Sequence, residues 1–283
     1  MTTVTACIDA SPSAPCVATA SAWASQRLGA PLRLLHVLEK PPAPATQDFS
    51  GSIGLGSREQ LLAELTELDA RRERLAMEHG KHLLEDAERL IAAEGVAAVE
   101  KRQRHGSLLA TLQDMEADTR LLVMGRVGEG HDIAARTIGS HLESVVRSVH
   151  RPILVVMQQF KQPQRFMIAW DGSETAGKAL DMVAGSPLLA GLPCHLVTAG
   201  PVQAEQATRL EAGRQRLQEA GFEVIALTLE GEVDKVLRQY YLENDIDLLV
   251  MGAWGHSRIR QFFVGSNTTR MLSHGDLTLL LLR

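Results

Sequence analysis

Apolar residues along this chain fall into two kinds of segment. Short, nearly continuous runs such as Leu248-Leu-Val-Met251 have the length and composition of strands covered on both faces. Between them lie longer stretches whose apolar positions recur with the spacing of an amphipathic helix. The pattern predicts ten strands. Five are Val4 to Asp9, Leu32 to Leu38, Val96 to Gln103, Thr119 to Gly125 and Ile153 to Met157. The other five are Phe166 to Asp171, His195 to Ala199, Glu223 to Leu229, Asp247 to Gly252 and Leu277 to Leu282. Helices fill the intervals, so the chain reads as α/β with mainly parallel pairing.

The two sets of five repeat one another. Leu121-Leu-Val-Met-Gly125 returns as Leu248-Leu-Val-Met-Gly252, and Asp9-Ala-Ser11 returns as Asp171-Gly-Ser173. Gly128 answers to Gly255, and Gly139-Ser140 to Gly265-Ser266. The offset between matched anchors falls from 162 to 127 along the chain, so the first copy holds about 35 extra residues after its second strand. Lys40 to Ser57 is rich in Pro, Ala, Gly and Ser, and Arg58 to Ala93 continues as a leucine-studded helical pattern. The leucines of that insertion are expected chiefly to cover the first copy's own sheet, with a partner or apolar-ligand groove as the alternative. Gln158-Gln-Phe-Lys-Gln-Pro163 reads as a short polar linker, giving domains at 1–158, with an insertion at about 40–75, and at 163–283.

Length agrees, since 283 residues are about two domain equivalents at ~150 residues each. Hydrophobic residues at 45% and charged residues at 22% mark a soluble globular composition and exclude a disordered or collagen-like chain. Residues 1–162 carry 18 basic against 20 acidic side chains and the remainder 11 against 14. Neither half therefore offers the basic face that nucleic acid requires. No apolar run reaches the ~20 residues of a membrane span, and Met1-Thr-Thr-Val-Thr-Ala6 does not resemble a secretory leader, so a cytoplasmic location is expected. Cys7, Cys16 and Cys194 are odd in number and widely spaced, which reads as reduced, buried thiols.

In an open α/β sheet ligands bind beyond the carboxyl ends of the strands, where the strand order reverses. Asp9 and Asp171 end the opening strands and are followed at two residues by Ser11 and Ser173. Each carboxylate could cap the next helix or accept a hydrogen bond from a ligand hydroxyl or amine. The stretch from Gly252 through Gly255 to Gly265-Ser266-Asn267 leaves a strand and enters a helix. Glycines there let backbone N–H groups approach an anion, and the helix start favours phosphate oxygens. The first copy has Gly125, Gly128, Gly139 and Ser140, with one residue more in the loop and with Glu129 and Asp132 inside it. Those carboxylates disfavour a polyphosphate. Arg126 and Arg136, or Arg258 and Arg260, could offset phosphate charge or be merely solvated.

Walker, G-x-G-x-x-G, G-x-S-x-G and H-E-x-x-H motifs are absent from the sequence. His79 and His82 stand one helical turn apart, which fits a solvated helix face better than a metal site.

Strand-terminal Asp9 and Asp171, the Val-Met-Gly strand ends and the Gly252-x2-Gly255-x9-Gly265-Ser266 spacing resemble two copies of the universal stress protein domain, over nearly the whole chain. The resemblance implies two tandem five-stranded parallel-sheet domains of the adenine-nucleotide α-hydrolase-like fold, each in strand order 3-2-1-4-5. It implies ATP, with or without Mg2+, held by Asp171, Ala199, Gly252, Gly255, Gly265, Ser266 and Asn267. The corresponding residues of the first domain are Asp9, Val37, Gly125, Gly128, Gly139 and Ser140. It further implies that Ile153 to Met157 meets Leu277 to Leu282, an intrachain pseudo-dimer, and it leaves a homodimer of whole chains open.

Three functions compete at this stage. The first is a stress-response protein that binds ATP, mainly in the C-terminal domain, and uses occupancy to alter its affinity for an unidentified protein partner. The second is a slow ATPase or another adenine-nucleotide enzyme, disfavoured because no base or Walker-type lysine is apparent. The third is a scaffold or apolar-ligand binder that works through the insertion.

Overall fold

The computed structural model describes residues 2–39, 55–126, 140–200, 204–252 and 277–283. Its first half runs β1 (Thr3–Cys7), α1 (Ala14–Leu28), β2 (Leu32–Leu38), α2 (Leu55–Ala93), β3 (Val99–His105), α3 (Leu108–Asp114), β4 (Thr119–Gly125), α4 (Ser140–Ser148) and β5 (Ile153–Val156). The second half runs β6 (Phe166–Ala169), α5 (Glu174–Ala184), β7 (Cys194–Ala199), α6 (Ala204–Glu219), β8 (Val224–Leu229), α7 (Val233–Glu243), β9 (Leu248–Gly252) and β10 (Thr278–Leu282). All ten strands of the sequence reading are present.

The strands form one sheet in the order β3-β2-β1-β4-β5-β10-β9-β6-β7-β8. Each half is parallel in the order 3-2-1-4-5, and the halves join where β5 and β10 run antiparallel, with Leu154 opposite Leu280. The expected meeting of the two last strands therefore occurs within one chain. Alternate residues of each strand feed opposite layers, which is why the strands read as unbroken apolar runs. Leu34, Phe166, Leu196 and Leu280 pack with α1, the end of α2, α5 and α6. Leu35, Met167, Val197 and Leu279 pack with α3, α4 and α7. Both layers continue across the seam, so the halves share their cores.

Further contacts hold the junction. The Arg27 Nε donates to the Leu188 carbonyl at 2.9 Å, and Arg27 Nη2 donates to the Ala190 carbonyl. In the linker, Phe160 lies against Trp23 with ring centroids 5.9 Å apart. A cavity of about 330 Å3 remains between the halves, lined by Leu28, Leu121, Leu189 and Leu280 with Arg120 and Arg151 among its polar groups.

Local geometry shifts some expected boundaries. β1 stops at Cys7 and β6 at Ala169, because Asp9 and Asp171 turn back to bond the residue two ahead and so leave the ladder. The expected strand from Val96 begins at Val99, since Gly95 closes α2 with a left-handed φ of 87°. The insertion contributes α2, a single helix of 39 residues. Among its described side chains, Leu84, Ala87 and Ile91 near its C-terminal end are the apolar ones that are buried against the body. From Ala63 to His79 no residue is buried, and Leu65 and Leu68 are 48% and 61% exposed. The expectation that the insertion's leucines chiefly cover their own domain is thereby corrected for this stretch.

Gly80 marks the point where α2 meets the body. A Cβ there would lie 2.5 Å from His36 Cδ2 and against the Gln103 amide. His36 cannot yield easily, because its buried ring is tied through Nδ1 to the Ile8 carbonyl at 2.8 Å.

Candidate functional site

The carboxyl ends of β6, β7 and β9 form one edge of the second half, and β6 lies between β9 and β7. The chain leaves β6 toward β7 on one side and later enters β9 on the other, so this edge is a strand-order switch point. Asp171, Ala199 and Gly252 all stand on it. Asp171 lies two residues beyond β6, Ala199 ends β7 half-buried, and Gly252 ends β9 buried and without a side chain.

Asp171 is exposed, and its Oδ1 accepts the Ser173 N–H at 2.9 Å. Between them Gly172 adopts φ 72°, a left-handed conformation that favours glycine over any residue with a Cβ. Ser173 then caps α5 by accepting the Ala176 N–H at 3.1 Å. The division of labour answers the question left by the sequence: serine caps the helix, and aspartate braces the turn with one oxygen. Its Oδ2 has no partner among the described residues. The Trp170 indole Nε1 and the Thr198 hydroxyl are enclosed and have no hydrogen-bond partner among the described residues. Sequence reasoning did not single out either residue; a lone indole or hydroxyl at a strand end carries no motif.

The corresponding edge of the first half differs in detail. Asp9 Oδ1 accepts from both the Ser11 N–H, at 3.1 Å, and the Ser11 hydroxyl. That hydroxyl is also 2.8 Å from the Ser13 hydroxyl. Ser13 occupies the N-cap position of α1 without a side-chain cap bond. Val37 is half-buried near the end of β2, and Gly125 ends β4 opposite Val156. Arg126 follows, held by its N–H to the Val156 carbonyl at 3.0 Å. Its Nη1 is enclosed without a hydrogen-bond partner among the described residues, and burial pulls the guanidinium below its ordinary pKa. The Cys7 thiol nearby is pushed up to about 12, first by burial and then by the negative charge of Asp9.

Ser140 opens α4, with only its backbone described. Gly128 and Gly139 of the first loop, and Gly255, Gly265, Ser266 and Asn267 of the second, lie outside the described residues, as do Arg136, Arg258 and Arg260. Among the described residues no three His, Cys, Asp or Glu side chains converge as metal ligands. No helix among them is long and apolar enough to cross a membrane.

The sequence profile of the universal stress protein family matches residues 1–157 and again 163–283. The universal stress protein Slr1230 of Synechocystis sp. is 35% identical over 267 residues, covering 93% of each chain. Among solved structures, a universal stress protein from Archaeoglobus fulgidus superimposes with a TM-score of 0.71 at 15% identity, over 99% of this chain and 98% of that one. A second, from Pseudomonas aeruginosa, does so with a TM-score of 0.59 at 15% identity, over 99% and 92%.

Proposed function

Because the chain belongs to the universal stress protein family, we propose that it binds ATP, with or without Mg2+, mainly through its C-terminal domain and acts as a nucleotide-responsive binding module. The observation that carries this reading is the edge formed by Asp171, Ala199 and Gly252. A carboxylate with one oxygen unpartnered among the described residues stands beside two strand ends that have little or no side chain. Such a carboxylate suits the hydroxyl donors of a ribose, and a bare strand end suits the flat face and backbone-reading edge of adenine. Trp170 and Thr198, the chain neighbours of Asp171 and Ala199, each carry an enclosed polar atom with no hydrogen-bond partner among the described residues.

The phosphate half of the proposal rests on Gly255, Gly265, Ser266 and Asn267, whose spacing fits a backbone cradle followed by a helix start. Preference for the second domain rests on its shorter loop and on Glu129 and Asp132 in the first. The first domain, through Asp9, Val37, Gly125, Gly128, Gly139 and Ser140, is the weaker site in this reading. The sequence holds no Walker-type lysine to stabilise charge that develops in phosphoryl transfer, so the reading is binding in preference to rapid turnover. Occupancy would change affinity for a protein partner in the cytoplasm, where three unpaired thiols are at home.

Titration calorimetry with ATP tests the proposal. Wild type is expected to bind, Gly265→Asp to lose most of the affinity, and Gly139→Asp to lose little. No binding by wild type at millimolar ATP would overturn it.

A further inference from the structure

The cavity of about 330 Å3 between the halves has the size of a small-molecule site, at the lower end of the ~300–1,000 Å3 common for such pockets. Leu28 and Leu121 of the first half and Val183, Leu189, Leu280 and Leu282 of the second supply its apolar wall. All six are buried, so the cavity is walled by core side chains. A space lined by such groups favours an apolar molecule over water.

Two charges share the lining. Arg120 and Arg151 both contribute to it, and no Asp or Glu does. Arg120 Nη1 donates to the Leu28 carbonyl at 3.1 Å, and Arg151 donates through Nε to the Glu116 carbonyl at 2.9 Å and through Nη2 to the Ala117 carbonyl. These acceptors are neutral, and the Glu116 carboxylate itself accepts the His150 N–H. Each guanidinium has five N–H donors, so both keep several to offer a ligand. The facing wall is held as well. Arg27 donates to the Leu188 and Ala190 carbonyls, and the Gly185 and Ser186 N–H groups occupy the Asp181 and Val183 carbonyls at the end of α5. The pocket is therefore formed in advance of any ligand.

We propose that this cavity binds a medium-chain carboxylate, with the hydrocarbon tail among the leucines and the carboxylate on Arg120 and Arg151. A guanidinium fork matches a carboxylate in shape as well as charge. A nucleotide does not suit the same space, because its several charges would be buried among leucines. None of the lining residues belongs to the proposed nucleotide site. Because the tail touches both halves, occupancy ties them together.

Titration calorimetry on the full chain with octanoate, and with octanol as a neutral molecule of the same tail length, tests the assignment. Octanoate is expected to bind one per chain, about tenfold or more tighter than octanol. Arg120→Gln and Arg151→Gln are each expected to bring octanoate toward the affinity of octanol and to leave octanol unchanged, with thermal melts checking that both variants fold. Asp171→Ala is expected to leave octanoate binding unchanged, so the outcome does not depend on the nucleotide proposal. Hydrogen exchange on wild type gives a reading that needs no variant: octanoate should slow exchange around residues 119–122 and 183–189 together. No octanoate binding at millimolar concentration overturns the proposal. So does octanol binding as tightly as octanoate, indifference to both arginine substitutions, or protection confined to other parts of the chain.

Discussion

Leu154 and Leu280 lie opposite each other at the antiparallel junction of β5 and β10, and both are almost completely buried. Removing either side chain leaves a cavity in a layer that both halves share. Leu280→Ala is expected to cost about 2–5 kcal/mol. Because the layer crosses the seam, amide protection in β4 and β5 should fall together with that in β9. Hydrogen exchange read by mass spectrometry checks this, and a loss confined to the second half would contradict the shared core.

Capping and the proposed ligand contact are separable at the start of α5. Ser173→Ala should lower stability by about 1 kcal/mol while leaving ATP affinity nearly unchanged. Asp171→Ala should do the reverse, weakening ATP by about tenfold or more through the lost charge-assisted hydrogen bonds. Thermal melts and calorimetry on the two variants make the comparison. Equal effects of both variants on ATP would remove Asp171 from the site.

Gly80→Ala carries an unusual sign. In an ordinary helix the change is stabilising by about 1 kcal/mol. Here the new methyl group meets the fixed His36 ring and the Gln103 amide, so a loss of about 1–3 kcal/mol is expected. Urea unfolding decides between the two.

His195 makes stability depend on pH. Its Nδ1 is 2.7 Å from the Tyr240 hydroxyl, and burial first, then the positive charge of Arg165, hold its pKa below the ordinary 6.5. The folded state therefore binds fewer protons than the unfolded chain in the window just below pH 6.5. Its contribution is fully present above that value and is lost as pH falls through the lower folded pKa. His195→Gln should flatten the decline that sets in as pH falls below about 6.5. An unchanged slope in urea midpoints would dismiss this assignment.

The three thiols should react in a fixed order. Cys16 is partly exposed on α1, although burial raises its pKa too. Cys7, pushed up to about 12, and Cys194, raised still further by burial, have almost no thiolate at pH 8. Iodoacetamide is expected to label Cys16 first, Cys7 more slowly because it is half-buried with a raised pKa, and buried Cys194 only as the chain opens. Peptide mapping over time reads the order.

Much of this architecture is legible in the sequence because a strand covered on both sides must be apolar throughout. Leu248-Leu-Val-Met251 and Leu32 to Leu38 could hardly be anything else. Boundaries slipped where a side chain competes with the ladder, as Asp9 and Asp171 do by bonding their own backbone two residues on. The exposed part of α2 was harder to read for a different reason. Leucine spacing reports that a helix has an apolar face, but Leu68 and Leu84 look alike in sequence although one is 61% exposed and the other 4%. What covers a face depends on where the neighbouring strands end. Asp171 is readable from its place after a strand, whereas the enclosure of the Trp170 indole and the Thr198 hydroxyl depends on packing that no motif reports.

The seam between β5 and β10 also bears on how such a protein can change over generations. In an assembly of two identical subunits every substitution is inherited twice, once on each side of the symmetry axis, and a damaging change has no intact counterpart. Here a change falls on one half alone, and the other continues to hold its side of the pairing. Ile153 to Val156 and Thr278 to Leu282 must stay complementary, but the strand ends around Asp9 and Asp171 are free to drift apart. A 39-residue helix on one side without a counterpart of that length among the described residues on the other is the kind of divergence that covalent fusion permits.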